Sequence, residues 1–230
     1  MKITSSRAVA TVLGVLALGG CGAETPSVRT PPPPSSSPSA TASPSATASP
    51  TPTETAPLSS EGRPMRGELT IPRIGLSDLE VVPYRGWTDD APGTEIQNGG
   101  VAASPYGPRG GTGPGGIGNY QVTAHRLSST RAFLRLPELR RGDRVSVRTE
   151  EATYVYRITG TRETSFRSEA SLRAQRAPVP GKPGEEPTRA MITLSTCATP
   201  EDHAVDNYWS DEFENPEHRI DKIGVLVGIS

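Results

Sequence analysis

Three residues of this 230-residue chain carry side chains suited to acyl transfer: Cys197, His125 and Arg219. Cys197 closes the run Met191-Ile192-Thr193-Leu194-Ser195-Thr196, whose front carries β character. Pro200 argues against the strand continuing. A thiol at a strand end, where a loop begins, is placed to be reached by a substrate. Structural free cysteines sit mid-element as small hydrophobes, and position alone leaves both readings open. His125 ends a second strand-like run and Arg219 stands just before a third. A thiol nucleophile needs a partner that takes its proton and later returns one to a leaving amine, which imidazole does near neutral pH. The oxyanion of a tetrahedral intermediate needs a positive or N–H donor, and a guanidinium stays charged throughout.

Other clusters offer less. Glu201, Asp202, Asp206, Asp211, Glu212 and Glu214 could supply oxygen ligands to calcium. Their spacing fits no recognised loop, so they read as a solvated, mobile loop, His203 among them makes a weak metal site, and no metal is expected. Tyr208, Trp209 and Phe213 in that loop must pack on something, either the body of the domain or a bound peptide. Gly111-x-Gly113-x-x-Gly116 formally matches a dinucleotide fingerprint, which requires a strand before it and a helix after it. Here Pro114 interrupts and the strand-like 119–124 follows, so the stretch reads as a flexible loop and no cofactor is expected.

These side chains must be positioned by one domain. Lys2 and Arg7 precede an apolar stretch at 8–18 that is too short to span a bilayer and fits a secretory leader. It closes with Leu18-Gly19-Gly20-Cys21, which resembles a bacterial lipobox and makes Cys21 a candidate for lipidation, against plain signal cleavage. Residues 22–66 are rich in Pro, Ser, Thr and Ala, with nothing to bury, and read as a disordered stalk. A bridge from Cys21 to Cys197 would staple that stalk to the core, so Cys197 reads as a free thiol. Residues 67–230 are the right size for one domain. A net charge of -1 gives no reason to expect nucleic-acid binding.

Within that domain, short strands fall at 68–73 and 79–84 around Gly75, then at 119–124. A helical turn spans 130–140, and alternation in Val145, Val147, Tyr154, Tyr156 and Ile158 reads as hairpin-like strands with one buried face. A short helix is expected at 168–176, a loop at 177–187 and an apolar strand at 220–229. Many short strands with little helix indicate an all-β barrel or sandwich.

At this point the residues resemble a family, the sortases, cysteine transpeptidases of the Gram-positive cell surface. The likeness runs through Ile71-Pro72-Arg73-Ile74-Gly75-Leu76, Thr123-Ala124-His125-Arg126, and Phe133-x-x-Leu136-x-x-Leu139-Arg140-x-Gly142-Asp143. It closes with Thr193-Leu194-Ser195-Thr196-Cys197 and His218-Arg219-Ile220, and looks most like class E, with class F as neighbour. The resemblance implies a closed eight-stranded sortase β-barrel with one or two short helices. It makes Cys197 the nucleophile toward the Thr–Gly bond of an LAxTG or LPxTG sorting signal, His125 the acid and base, and Arg219 an oxyanion donor. The backbone N–H of Ala198 would be the second donor, with Thr196, Tyr208 and Trp209 as candidate substrate contacts. Implied partners are secreted proteins bearing that C-terminal signal and an amine of peptidoglycan precursor or a pilin lysine. The enzyme would sit on the extracytoplasmic face of the membrane, lipid-anchored at its N-terminus. The alternatives are a catalytically silent lipid-anchored binding domain of the same fold, or another cell-wall cysteine hydrolase.

Overall fold

The structure, a computed structural model, describes residues 56–230. The expected leader, Cys21 and the stalk up to residue 55 lie outside the described residues. Among the described residues no helix is long and apolar enough to cross a membrane.

Eight strands form the frame: β1 (Gly67–Ile71), β2 (Leu76–Arg85), β3 (Ala102–Tyr106), β4 (Gly118–Thr123), β5 (Arg144–Arg148), β6 (Thr153–Ser165), β7 (Ala190–Cys197) and β8 (His218–Ile229). They close into a barrel in the order β1-β2-β3-β4-β7-β8-β6-β5. Closure removes the exposed edges that open sheets must protect. β2/β3 and β4/β7 pair in parallel, and the other pairs are antiparallel.

The all-β barrel expected from the sequence is present, with three short helices instead of one or two: α1 (Ala91–Asn98), α2 (Glu169–Arg176) and α3 (Thr199–His203). The helical turn expected at 130–140 is reduced to a 3-10 turn at Leu136–Glu138. Period two sorts the barrel wall. Val145 and Val147 of β5 are buried while Arg144 and Arg148 are exposed. Ile192 and Leu194 of β7 join Tyr120, Val122, Tyr156 and Ile158 in the core.

The opposite face of β7 is also covered, and it is polar. Gln175 of α2 donates to Ser195 Oγ at 3.3 Å and to Asp221 Oδ1 at 2.9 Å, while the Ser195 hydroxyl donates to the same carboxylate oxygen at 2.7 Å. The Thr164 hydroxyl satisfies the other oxygen of Asp221. Burial raises the Asp221 carboxyl above its ordinary range, and these donors oppose the rise. The face of β7 that carries Ser195 and Cys197 therefore runs into a buried hydrogen-bonded layer under α2.

Two elements have no periodic signature. β3 is Ala-Ala-Ser-Pro-Tyr, and its strand form is imposed by parallel pairing with β2, Val81 opposite Ala102 through Arg85 opposite Tyr106. α1 contains Pro92 and Gly93, poor residues for a helix interior. Here Pro sits in the first turn, where its missing N–H costs nothing, and Asp90 caps the helix by accepting from Gly93 N at 2.9 Å.

The glycine-rich stretch between β3 and β4 is a loop, but it is tied down. Ser60 N donates to Gly115 O at 2.7 Å and Gly113 N donates to Gly62 O at 2.7 Å. A Cβ on Gly113 would stand 2.0 Å from Arg63 O, so these glycines let two backbones approach. Among the described residues, hydrogen bonding to this loop thus begins at Ser60, ahead of Gly67.

Candidate active site

Topology brings the three candidate residues together. β4 and β7 run in parallel with Thr123 opposite Ser195, so His125 and Cys197 each lie two residues beyond that pair. β7 and β8 run antiparallel with Cys197 directly opposite Arg219. Because side chains alternate with period two, all three fall on the outer face of the wall. Leu194 and Thr196 fall on the core face. His125 and Cys197 line one cleft together with Thr94, Asn98, Phe213 and Asn215.

Arg219 is buried, with 2% of its surface exposed, and lies over the Phe166 ring at 4.8 Å. Its Nη1 donates to Cys197 Sγ at 2.6 Å and its Nη2 donates to Asn215 Oδ1 at 2.7 Å. Nη2 also lies 2.8 Å from Asp89 Oδ2, while Nε has no partner among the described residues. Asn215 and Asp89 were not singled out by the sequence. Neither sits in a periodic element, and no local pattern could have found them.

His125 is partly buried beyond the end of β4. Its Nε2 pairs with Asn98 Oδ1 at 2.8 Å, and its carbonyl accepts from Phe133 N at 3.0 Å. Asn98, the last residue of α1, is the orienting group for the imidazole. Burial lowers the His125 pKa, Asp89 opposes that shift and Arg219 adds to it. Burial pushes the Cys197 thiol up, Arg219 pulls it down and Asp89 pushes it up again, with a net rise. The two groups therefore rest chiefly as neutral imidazole and thiol at neutral pH.

A second arginine supports the strand end. Arg126 Nη1 donates to Cys197 O at 3.1 Å, and its Nη2 donates to Glu201 Oε1 of α3 at 2.9 Å. Asp202, buried in the same helix, accepts from His218 N at 3.0 Å and sits 2.6 Å from His218 Nδ1. Burial works against charge on His218, but the Asp202 carboxylate, with Glu163 and Glu217, outweighs it and raises the imidazole pKa. The start of the acidic segment is thus an ordered helix locked to β8, not a wholly solvated loop.

The structure gives four of the expected contacts other partners. The Ala198 N–H donates to His218 O at 2.9 Å, so the sheet ladder already occupies the donor that the oxyanion would need. Thr196 is fully buried on the core face, where its hydroxyl donates to Ala124 O at 2.8 Å. Tyr208 is exposed and packs on His203, with ring centroids 4.6 Å apart. Trp209 lies beneath Arg167, 5.9 Å from guanidinium carbon to ring centroid. Neither aromatic lines the cleft. Phe213 of the same loop does.

Comparison with known proteins agrees with this geometry. The profile of the sortase domain family matches residues 69–209. A search of curated proteins returns no match. Among solved structures, the SrtA sortase of Actinomyces oris is 20% identical, with a TM-score of 0.55, covering 77% of this chain and 89% of its own. Sortase E of Streptomyces avermitilis is 25% identical, with a TM-score of 0.50 and coverage of 74% and 92%. Sortase E1 of Streptomyces coelicolor, solved with a tripeptide in its active site, is 20% identical, with a TM-score of 0.50 and coverage of 74% and 92%.

Proposed function

The chain belongs to the sortase family, and from that premise we propose that it is a cell-surface transpeptidase in which Cys197 is the nucleophile, His125 the acid and base, and Arg219 the oxyanion donor. The observation that carries this reading is the direct contact between Arg219 Nη1 and Cys197 Sγ at 2.6 Å, in a cleft that also holds His125.

In the first half-reaction the Cys197 sulfur attacks the carbonyl carbon of the scissile residue, and its proton passes to His125. The new oxyanion is met by the Arg219 guanidinium, with the Ala198 N–H held in the ladder. Collapse of the intermediate breaks the C–N bond, and His125 returns the proton to the departing amine. A thioester on Cys197 remains. In the second half an acceptor amine attacks that thioester, gives up a proton through His125, and the sulfur leaves as thiol. The buried guanidinium needs no proton of its own and keeps its charge through both halves.

We assign the donor to an LAxTG or LPxTG sorting signal cut between Thr and Gly. The acceptor is a cell-wall amine or a pilin lysine. The class E reading rests on the motif order and draws support from the 25% identity with a Streptomyces sortase E. The cleft measures about 190 Å³, below the ~300–1,000 Å³ of typical ligand pockets. It therefore takes the residues at the scissile bond, and the rest of the signal lies along the outer wall. The membrane anchor belongs to this proposal as well: lipid on Cys21, with the segment up to residue 66 as the spacer.

The test is mass spectrometry of the domain incubated with LAxTG and LPxTG peptides plus triglycine or diaminopimelate, with Cys197→Ala as control. A thioacyl adduct on Cys197 and an amine-exchanged product are expected. A folded domain whose thiol reacts with a small alkylating agent but forms no adduct with either peptide would overturn the assigned signal.

A further inference from the structure

The Arg219 Nη2 that donates to Asn215 also meets a carboxylate that the acyl transfer above does not use, that of Asp89. Asp89 stands just before Asp90, the N-cap of α1, and it is Asp90, not Asp89, that caps the helix. Asp89 adopts a left-handed backbone with φ 58, a conformation that costs an L-residue unless its surroundings hold it. Gln97 Nε2 of α1 donates to Asp89 Oδ1 at 3.0 Å. Oδ2 lies 2.8 Å from Arg219 Nη2, with both side chains 2% exposed. Oδ2 accepts no aligned hydrogen bond among the described residues, so this contact acts through charge. A buried guanidinium left alone beside a thiol would be an uncompensated charge, which folding tolerates poorly.

We propose that Asp89 is a positioning residue for the reaction: its carboxylate holds Arg219 by Nη2, presents Nη1 to Cys197, and balances the guanidinium charge while the sulfur is protonated. With all three groups present, the cluster is neutral as the thiol and negative as the thiolate. Ionisation of Cys197 is thereby reserved for the moment when substrate and His125 are in place. The opposed influences of Asp89 and Arg219 on both Cys197 and His125 agree with this balance.

Other charges also act on the cluster. Asp90 precedes α1, and Arg176 at the end of α2 feels Asp89, Asp90 and Arg109. Asp211 and Asp221 act on Arg219 from the β7–β8 loop and β8. Glu214 lines the cleft, and Arg126 with its partner Glu201 reaches the Cys197 carbonyl. A change at Asp89 alone leaves all of these in place.

The proposal rests on Cys197 being the nucleophile, but its test needs no sorting signal. The rate of Cys197 alkylation by iodoacetamide is measured against pH in the parent, Asp89→Asn, Asp89→Gly and Asp89→Glu. Asn and Gly tolerate the left-handed backbone best; both lose stability with the carboxylate, so thermal melting sets the temperature at which each variant is folded and alkylation is read below it. Removing the carboxylate should shift the thiol midpoint down by about one pH unit or more, making alkylation below that midpoint roughly tenfold faster. Asp89→Glu should stay near the parent. If the sorting-signal reading holds, the alkaline limb of kcat/KM shifts the same way. An unmoved midpoint in both charge-free variants, or a Glu variant that behaves like them, overturns the proposal. A parent that alkylates normally but transfers no peptide instead counts against the proposed function and leaves the role of Asp89 standing.

Discussion

The Thr196 hydroxyl donates to the Ala124 carbonyl at 2.8 Å, joining the residue before the thiol to the residue before the imidazole. Both residues are buried on the core side of strand ends whose next side chains point into the cleft. The separation of the Cys197 thiol and the His125 imidazole is thus set from behind, by one hydrogen bond inside the barrel. Thr196→Val keeps the volume and removes the donor, leaving the carbonyl unsatisfied. The expected cost is ~1–3 kcal/mol of stability, read as a lower denaturation midpoint. Peptide transfer should fall while Cys197 remains alkylatable. An unchanged midpoint and rate would show that the bond does not hold the geometry.

Arg219→Lys separates charge from shape. A lysine keeps the positive charge but cannot touch Sγ, Asn215 and Asp89 at once with a planar fork. Transfer should drop by roughly 10²–10³ in kcat, the scale for losing an oxyanion donor. The thiol should still alkylate. Full activity in the lysine variant would mean that charge alone suffices at this position.

The depressed imidazole and raised thiol fix the expected pH profile. The competent pair carries one proton between sulfur and nitrogen. Acid removes it by protonating both groups, and alkali by deprotonating both. Since burial moves His125 down and Cys197 up, the bell of kcat/KM should be broad, with its acid limb below ~6.5 and its alkaline limb above ~8.5. Limbs that cross to a narrow bell near neutrality would contradict the neutral resting pair.

Arg126 acts on the thiol residue through its backbone. Its buried guanidinium donates to the Cys197 carbonyl, while its partner Glu201 is about half exposed. Arg126→Met should destabilise the domain and slow transfer, because the carbonyl at the end of β7 loses its donor. Glu201→Gln should cost much less, since solvent screens that side of the pair. Equal losses from both variants would place the importance in the ion pair rather than in the carbonyl contact. Stopped-flow turnover beside urea melts distinguishes the two.

The aromatic residues of the β7–β8 loop should divide by position. Phe213 lines the cleft, whereas Tyr208 and Trp209 pack on His203 and Arg167 away from it. Phe213→Ala is expected to raise KM for the sorting peptide severalfold with little change in the melt. Tyr208→Ala and Trp209→Ala should leave KM near the parent. A KM effect confined to Trp209 would move the peptide path to the outer side of the loop.

What the sequence by itself determined here are the properties that depend on near neighbours along the chain. Alternation in β5 and β6 marked one buried face, and the ends of β4 and β7 could be read from His125-Arg126 and Pro200, whereas β8 starts at His218, two residues ahead of the expected Ile220. Motif order then carried the barrel and the candidate trio His125, Cys197 and Arg219. The tertiary structure decided everything that depends on pairing across the chain. The Ala198 N–H is taken because the β7/β8 ladder runs one residue past Cys197, which no inspection of Cys197-Ala198 reveals. β3 exists because β2 offers it a parallel partner, since its own small residues and proline carry no period. Asp89, Asn98 and Asn215 reach the site from aperiodic segments, and their types are common at caps and turns, so only the folded contacts distinguish them. The candidate residues stand in short local motifs; the charge balance around them arises from residues that the barrel brings together.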